Sequence, residues 1–393
     1  MTLKITDVRV AIVDAFRANL VLVKIETDSG IYGWGEATVE FSEAAVAAAI
    51  ETARPLLVRQ DPYRINGLIN ELHRQTYFRT GVVLRSALSG IESALYDIKG
   101  KALGVPVYEL LGGKTRDNIR CYANAWFTGA RTPQDFAEKS KQVADLGYTA
   151  LKWDPFGSSY MDMTADELGQ SMDCIEAVRD AVPSSVDIII EGHGRFNALT
   201  SRRAANAMAP YNPLWFEEPM PPESISAFAS LKRQSPVPIA TGERYYEPSS
   251  FFNLVAQEGA DILQPDACHV GGFEAMRSIV SIAQANYVPV APHNPMGPVA
   301  NAMNMHLAAA LDGVFIMETM MSDVPWRKDI CDEDLLFKDG YMTFSDRPGL
   351  GIEINEDKCR EHPYQQRFLR HYNGTLTDIR PDGETIIHRE KPA

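Results

Sequence analysis

Cysteine is scarce and scattered in this 393-residue chain: Cys121, Cys174, Cys268, Cys331 and Cys359 include no C-x-x-C pair, and their number is odd. Such a set argues against a disulfide framework and for free thiols in a reducing compartment. Long hydrophobic runs are missing as well. No stretch reaches the roughly 18 apolar residues that a membrane span requires. Residues 1 to 10, MTLKITDVRV, lack the basic start, apolar run and small-residue cleavage site of a signal peptide, so the cytoplasm is the expected location. Positive charge is in deficit, with 38 Lys and Arg against 52 Asp and Glu for a net charge of -14. Without clustered Lys and Arg to neutralise phosphates, a nucleic-acid or anionic-membrane surface is not expected, although local anion sites remain open. Low-complexity segments and disordered linkers are also absent.

What is present is a globular composition. A hydrophobic content of 45% with 23% charged residues suits a soluble chain that can bury a sizeable core. The length corresponds to two or three domains, or to one large barrel plus a smaller unit. Residues 4–13 and 19–36 alternate as strands, with Asp28-Ser29-Gly30 as turn chemistry between them. From about 42 to 103 the period becomes helical: Leu84, Leu88, Ile91, Leu95, Ile98 and Ala102 share one face, and Gly104 and Pro106 stop the helix. The opening unit, residues 1–118, is therefore expected to be α+β.

Short apolar strands then recur at roughly 25-residue intervals, near 120, 150, 186, 214, 238, 261, 288 and 313, with helical spacing between them. Eight strands alternating with helices predict an α/β fold closed as a (β/α) barrel over 119–343, with a doubly wound open sheet as the other architecture. Residues 344–393, with the strand-like run LGIEINE, are expected to return to the opening unit.

In such a barrel the active site lies at the C-terminal strand ends. The polar residues there are Lys152, Glu191 with His193, Glu217, Glu243, Asp266, His293 and Glu318, each about one βα unit from the next. If the strand at 187–196 stays extended, Ile189, Glu191, His193 and Arg195 share one face. An acid at a single strand end commonly caps the next helix. Three in register on consecutive strands, about 4.8 Å apart, cannot all stay ionised without a cation among them. Glu191, Glu217 and Glu243 therefore predict a hard-oxygen site suited to Mg²⁺. Glu218 is the alternative to Glu217, and the 26-residue register selects Glu217. Asp266 and His293, on the next two strands, make a carboxylate-oriented general base. His269, His73, His306, His362, His371 and His388 are expected to be structural.

The combination SGIESALYDIKGKALGVPVYELLGG, WFEEP, TGER, ILQPD with its following GG, and APHNP resembles the mandelate racemase branch of the enolase superfamily over nearly the whole chain. The resemblance implies an α+β capping domain, a modified (β/α)7β barrel, one Mg²⁺ per subunit and abstraction of the proton next to a carboxylate. It implies metal ligands at Glu191, Glu217 and Glu243 and a dyad of Asp266 and His293. Glu318, protonated when it acts, would hydrogen-bond the enolate oxygen, and Lys152 would match the first lysine of a K-x-K motif. Two positions depart from the pattern. Asp154 replaces the second lysine in KWD, and Glu191 stands where the first ligand is usually Asp. EGHGRFN and LKWDPFG resemble gluconate dehydratases, and the spacing of His193 resembles galactonate dehydratases, which implies that His193 helps expel a hydroxyl.

The implied reaction is dehydration of a sugar acid such as gluconate or galactonate to a 2-keto-3-deoxy acid. An epimerase or racemase using His193 and His293 on opposite faces of C2 is the alternative, and a non-catalytic binding homologue is a third. Arg17, Tyr77 and Arg79 on two capping-domain loops, and Arg195 beside Glu191, are the expected substrate contacts. Arg195 has a second reading, as an anchor for Glu191. A homo-oligomer, dimer or octamer, is implied by the resemblance alone.

Overall fold

The alternation at the N-terminus becomes an antiparallel meander in the computed structural model, which describes residues 3–381 together with the short strand at 385–386. Its strands are β1 (Ile5–Asp14), β2 (Asn19–Thr27) and β3 (Tyr32–Glu36). Three helices follow, α1 (Glu43–Leu57), α2 (Ile65–Gln75) and α3 (Val82–Leu103). Gly104 ends α3 in the left-handed conformation, with φ of 69°. The sequence YGWGE lets β3 lie directly on α3. A Cβ added at Gly33 would sit 2.0 Å from the Ala94 carbonyl oxygen, so only glycine allows that approach.

The second unit is a closed barrel. Its strands are β4 (Asn118–Asn124), β5 (Ala150–Trp153), β6 (Asp187–Glu191), β7 (Trp215–Glu217), β8 (Ile239–Thr241), β9 (Ile262–Leu263), a segment through Val290, and β10 (Met317–Met320). β4 to β9 pair in parallel in chain order, Val290 bridges both Leu263 and Val314, and β10 returns to pair with β4. One helix lies between each strand and the next, from Pro133–Asp145 to Pro298–Ala310. The order is that of a (β/α)7β barrel. The expected strand VPVAPHN forms only isolated bridges. Pro289 and Pro292 have no N–H to offer, which limits the ladder at this position.

Inside the barrel one residue per strand forms an apolar floor: Tyr122, Ala150, Ile189, Trp215, Ala240, Ile262, Ala291 and Ile316. Period two then dictates which residues point inward one layer higher. They are Asn124, Lys152, Glu191, Glu217, Gly242, Gln264, His293 and Glu318.

The chain after 344 reaches the N-terminal unit by individual contacts. Strand Ile352–Ile354 pairs with Cys331–Glu333, while Leu350 N–H donates to Asp97 Oδ1 at 2.8 Å and Pro363 bridges Val13. Part of the expected C-terminal segment, residues 382–384 and 387–393, lies outside the described residues. All five cysteines are buried and unpaired, and among the described residues no helix is long and apolar enough to cross a membrane.

The capping unit is locked to the barrel through helix ends. Buried Glu36, at the end of β3, accepts from Gly297 N–H at 2.8 Å and Ala300 N–H at 2.9 Å, capping the helix Pro298–Ala310 from another domain. Glu92 on α3 accepts from Phe273 N–H, and Arg85 donates to Val270 O. A buried amide left without a partner costs roughly 1 to 3 kcal/mol. Glu36→Ala is therefore expected to lower stability by about 2 to 5 kcal/mol in urea unfolding followed by tryptophan fluorescence. Glu36→Gln, which keeps an acceptor, should lose clearly less, and equal losses would show that capping is not the source.

Candidate active site

Glu191 and Glu217 are direct register partners at the ends of β6 and β7. On β8 the layer position is Gly242, and Glu243 enters from the next residue. Glu191, Glu217 and Glu243 each offer an oxygen within 4.8 Å of the others. At that distance two unit negative charges repel by about 3.5 kcal/mol at an effective dielectric near 20. Burial first, then the Glu217 charge, pushes the Glu191 carboxyl well above its ordinary range, and burial with neighbouring carboxylates pushes Glu243 up to about 7. Glu191 Oε2 is buried without a hydrogen-bond partner. Three hard oxygen donors, among them a Glu191 oxygen that meets the Lys152 ammonium at 3.3 Å but makes no hydrogen bond, fit a divalent cation. Glu218 plays no part in this cluster. It accepts from Thr241 Oγ1 and Arg244 Nε, both at 2.5 Å.

The Lys152 ammonium faces the carboxylates from β5, 2.5 Å from Glu217 Oε1, 2.9 Å from Glu318 Oε1 and 3.3 Å from Glu191 Oε2. Trp215 Nε1 donates to the other oxygen of Glu217 at 2.9 Å. Glu318, expected to hydrogen-bond an enolate oxygen, is here engaged by its protein neighbours. Its Oε1 also accepts from Asn124 Nδ2 and its Oε2 from Asn294 N–H, each at 2.7 Å, and it is not among the residues lining the cavity. Glu318 thereby contacts both Lys152 and Asn124.

Two histidines stand over this cluster, from the third and seventh of eight barrel strands and hence across the mouth from each other. His293 Nδ1 is 2.8 Å from Asp266 Oδ2, and Nε2 is 3.3 Å from Glu243 Oε2. Burial works against the charged ring, but Glu243 and the Asp266 hydrogen bond outweigh it and hold His293 at about 10. His193 Nδ1 is 2.6 Å from Asp154 Oδ2. Burial, then the Arg195 guanidinium, pushes His193 well below its ordinary value. Asp154, the residue in place of a lysine, thus completes a second carboxylate–imidazole pair.

The extended conformation does not persist past Glu191. His193 has φ of 48° and Gly194 of 61°, and a Cβ at Gly194 would overlap the Arg244 guanidinium. This left-handed turn carries Arg195 away from the face it was expected to share. Arg195 is fully buried, donates to the Gly192 and Gly157 carbonyls at 3.0 and 2.9 Å, and pairs with Asp154. It anchors the loop and does not line the cavity. Tyr77 and Arg79 also stay outside. Their loop between α2 and α3 projects into solvent, leaving Tyr77 80% exposed against Phe78. Arg17 does line the cavity, paired with Glu40 and donating to Pro295 O at 2.9 Å.

The cavity is about 390 Å³ in volume. Besides the expected residues it is lined by Glu40, Asn124, Arg244, Tyr246, His371 and Tyr372. Asn124 and Gln264 could have been found from the strand period. His371, set aside as structural, has no local signal, because a segment without strand or helix brings it to the mouth.

Two family profiles match the chain. Residues 135–358 match the enolase C-terminal domain-like family, and residues 2–112 match the mandelate racemase / muconate lactonizing enzyme N-terminal domain. The chain belongs to the enolase superfamily. Among curated relatives, D-gluconate dehydratase of Thermoproteus tenax is 38% identical over 349 residues, covering 87% of this chain and 70% of that protein. D-galactonate dehydratase of Pectobacterium atrosepticum is 36% identical over 342 residues, covering 85% and 88%. Among solved structures, an enolase from Agrobacterium radiobacter with Na and L-malate bound aligns with a TM-score of 0.85 at 34% identity, over 94% of this chain and 98% of that one. A member of the enolase superfamily from Salmonella Typhimurium gives a TM-score of 0.86 at 27% identity, over 92% and 98%.

One divalent cation per chain is expected in calorimetric titration of this superfamily member after chelation. Glu217→Gln should weaken that binding at least 100-fold, because it removes one of three charged donors. Retention of wild-type affinity would place the cation elsewhere.

Proposed function

We propose that this protein is a Mg²⁺-dependent acid sugar dehydratase that converts an aldonate into a 2-keto-3-deoxy acid. The observation that carries the reading is the pair of carboxylate–imidazole dyads, Asp266–His293 and Asp154–His193, on opposite sides of the three-carboxylate cluster. One dyad suffices to remove a proton, and β-elimination needs a second group to protonate what leaves. The named activities of the gluconate and galactonate dehydratases among its relatives support the same chemistry.

Glu191, Glu217 and Glu243 would hold Mg²⁺, whose charge makes the proton next to the substrate carboxylate acidic. With Nδ1 committed to Asp266, His293 offers Nε2 to take the C2 proton. Lys152, held by Glu217 and Glu318, places an ammonium where negative charge develops; one such group is typically worth about 3 to 4 kcal/mol of barrier. His193 delivers a proton to the 3-hydroxyl as the C3–O bond breaks and its electron pair leaves with oxygen. This role belongs to the doubly protonated ring, with Nδ1–H held by Asp154 and Nε2–H the proton delivered. Water departs, and the enol relaxes to the ketone.

Charge at the cavity walls favours an aldonate over a dicarboxylic sugar acid. Arg17 is paired with Glu40 and Arg244 with Glu218, so neither guanidinium stands uncompensated to meet a second substrate carboxylate.

Proton NMR with Mg²⁺ in D₂O against a panel of aldonates and aldarates tests the reading. The expected result is loss of the C2 proton signal and appearance of a C3 methylene with one or a few aldonates. His193→Asn should lower elimination by about 10² to 10⁴ while exchange at C2 continues, because His293 is untouched. His293→Asn should stop both. Exchange without elimination in the wild-type protein would recast His193 as a second base of an epimerase, and an unreactive panel would count against the sugar-acid reading. Asp154→Asn, which removes the carboxylate but not the imidazole, should lower elimination less than His193→Asn and leave C2 exchange within about threefold.

A further inference from the structure

The segment from Tyr364 to Ile379 carries no strand or helix, yet it is fixed at both ends. On the capping side Gln365 exchanges hydrogen bonds with the Asn19 side chain at 3.0 Å, and Arg367 holds Asp14 at 2.6 to 2.9 Å. On the barrel side Gly129 N–H donates to Thr377 O at 2.8 Å, and Arg131 pairs with Asp378. Between these anchors the Tyr372 hydroxyl donates to His193 O at 2.9 Å, and the Arg195 guanidinium lies 5.4 Å from the Tyr372 ring. A strap held in this way fixes the position of whatever side chain it presents to the mouth.

That side chain is His371. Its ring lines the cavity together with Arg17, Glu40 and Lys152, and its centroid is 4.2 Å from that of His193 in an edge-on arrangement. His371 Nδ1 is buried and has no hydrogen-bond partner. Buried polar atoms are nearly always partnered, so an open one beside a reaction cavity marks a place for a ligand atom. Arg17 and Glu40 form an ion pair, and His193 is committed to Asp154.

Resting on the sugar-acid reading, we propose that His371 is a substrate-contacting residue that hydrogen-bonds a hydroxyl on the carbons beyond C3, so that the C-terminal strap helps select the sugar acid. His193, the neighbouring ring at 4.2 Å, is the group assigned to the 3-hydroxyl, and a side chain packed edge-on against it is within reach of the next part of the substrate chain. An uncharged hydroxyl is the partner of choice. A hydroxyl can meet the ring nitrogen as donor or as acceptor, whichever tautomer His371 takes.

Calorimetry with Mg²⁺-loaded protein, in a His293→Asn background that prevents turnover, tests the contact with D-gluconate and D-galactonate as probes. His371→Leu is expected to weaken binding of the preferred hexonate about tenfold. His371→Asn, which restores a short polar arm, should recover a substantial part of that loss at the same melting temperature. D-glycerate, which ends at C3, should compete with the hexonate equally well whether His371 is present or not. Unchanged hexonate affinity in His371→Leu would overturn the proposal, as would a loss of the same size for glycerate. If the protein with His371 intact binds no aldonate at all, the sugar-acid reading itself fails, which is a different result from a variant that binds as well as its parent.

Discussion

Three buried carboxylates, Glu191, Glu217 and Glu318, gather at one end of the barrel around a single ammonium, Lys152, with the half-buried Glu243 beside them. Strand spacing imposes this crowding. Parallel strands about 4.8 Å apart deliver the side chains whether or not their charges agree, and the backbone cannot open to separate them. The neighbours divide the task of making the cluster tolerable. Trp215 and Lys152 satisfy Glu217, Asn124 and Asn294 satisfy Glu318, and an oxygen of Glu191 is left over. A set of donors with that remainder is poised for a small hard cation, and the protein without one carries the repulsion as a local cost.

Around that cluster the two imidazoles are made different by what surrounds them. His293 meets Asp266 and Glu243, two negative groups that favour its charged form, whereas His193 meets Asp154 within reach of Arg195, whose charge cancels much of the carboxylate's effect. A cation drawn to Glu243 would take away one of the two groups that hold His293 up. Its proton affinity would then move toward the range useful for a base. Arg195 touches no cavity surface, yet it fixes both Asp154 and the left-handed turn that presents His193. Arg195, expected either to contact substrate or to anchor Glu191, anchors the loop after Glu191 and is the reason that a carboxylate can stand in the place of a lysine.

Much of this was legible in the sequence because barrels repeat. Spacings near 25 residues, with a polar residue at each strand end, place Lys152, Glu191, Glu217, Glu243, Asp266 and His293 at one mouth without any knowledge of tertiary contacts. The misses have physical causes. Pleat parity ends at Glu191, where a turn that glycine makes possible redirects the chain, so the alternation that predicts Arg195 on the same face does not reach it. Tyr77 and Arg79 were judged by residue type, which says nothing about where an exposed loop points. Asn124 and Gln264 obey the same period as Glu191, Glu217 and Glu318, but an uncharged amide carries no metal or acid–base signal. His371 reaches the site through a segment whose path is set by contacts with Asp14, Asn19 and Gly129, more than 200 residues away, and no local pattern encodes such a path.

The capping unit does more than cover the mouth. Glu36 serves as the N-terminal cap of the barrel helix that follows His293, so the strand end carrying His293 is completed by a residue from the other domain. The C-terminal strap in turn ties the meander to the loop after β4 and leans on the turn that holds His193. Each imidazole is therefore steadied from outside the barrel, one through a helix cap and the other through Tyr372. Catalysis that depends on two side chains facing each other across a cavity needs their separation fixed to a fraction of an ångström. A barrel whose strands end in loops supplies the directions of those side chains but leaves the loops free to drift. Burying the ends of both elements under a second domain and a strap removes that freedom, and it also excludes the water that would weaken every charge in the cluster.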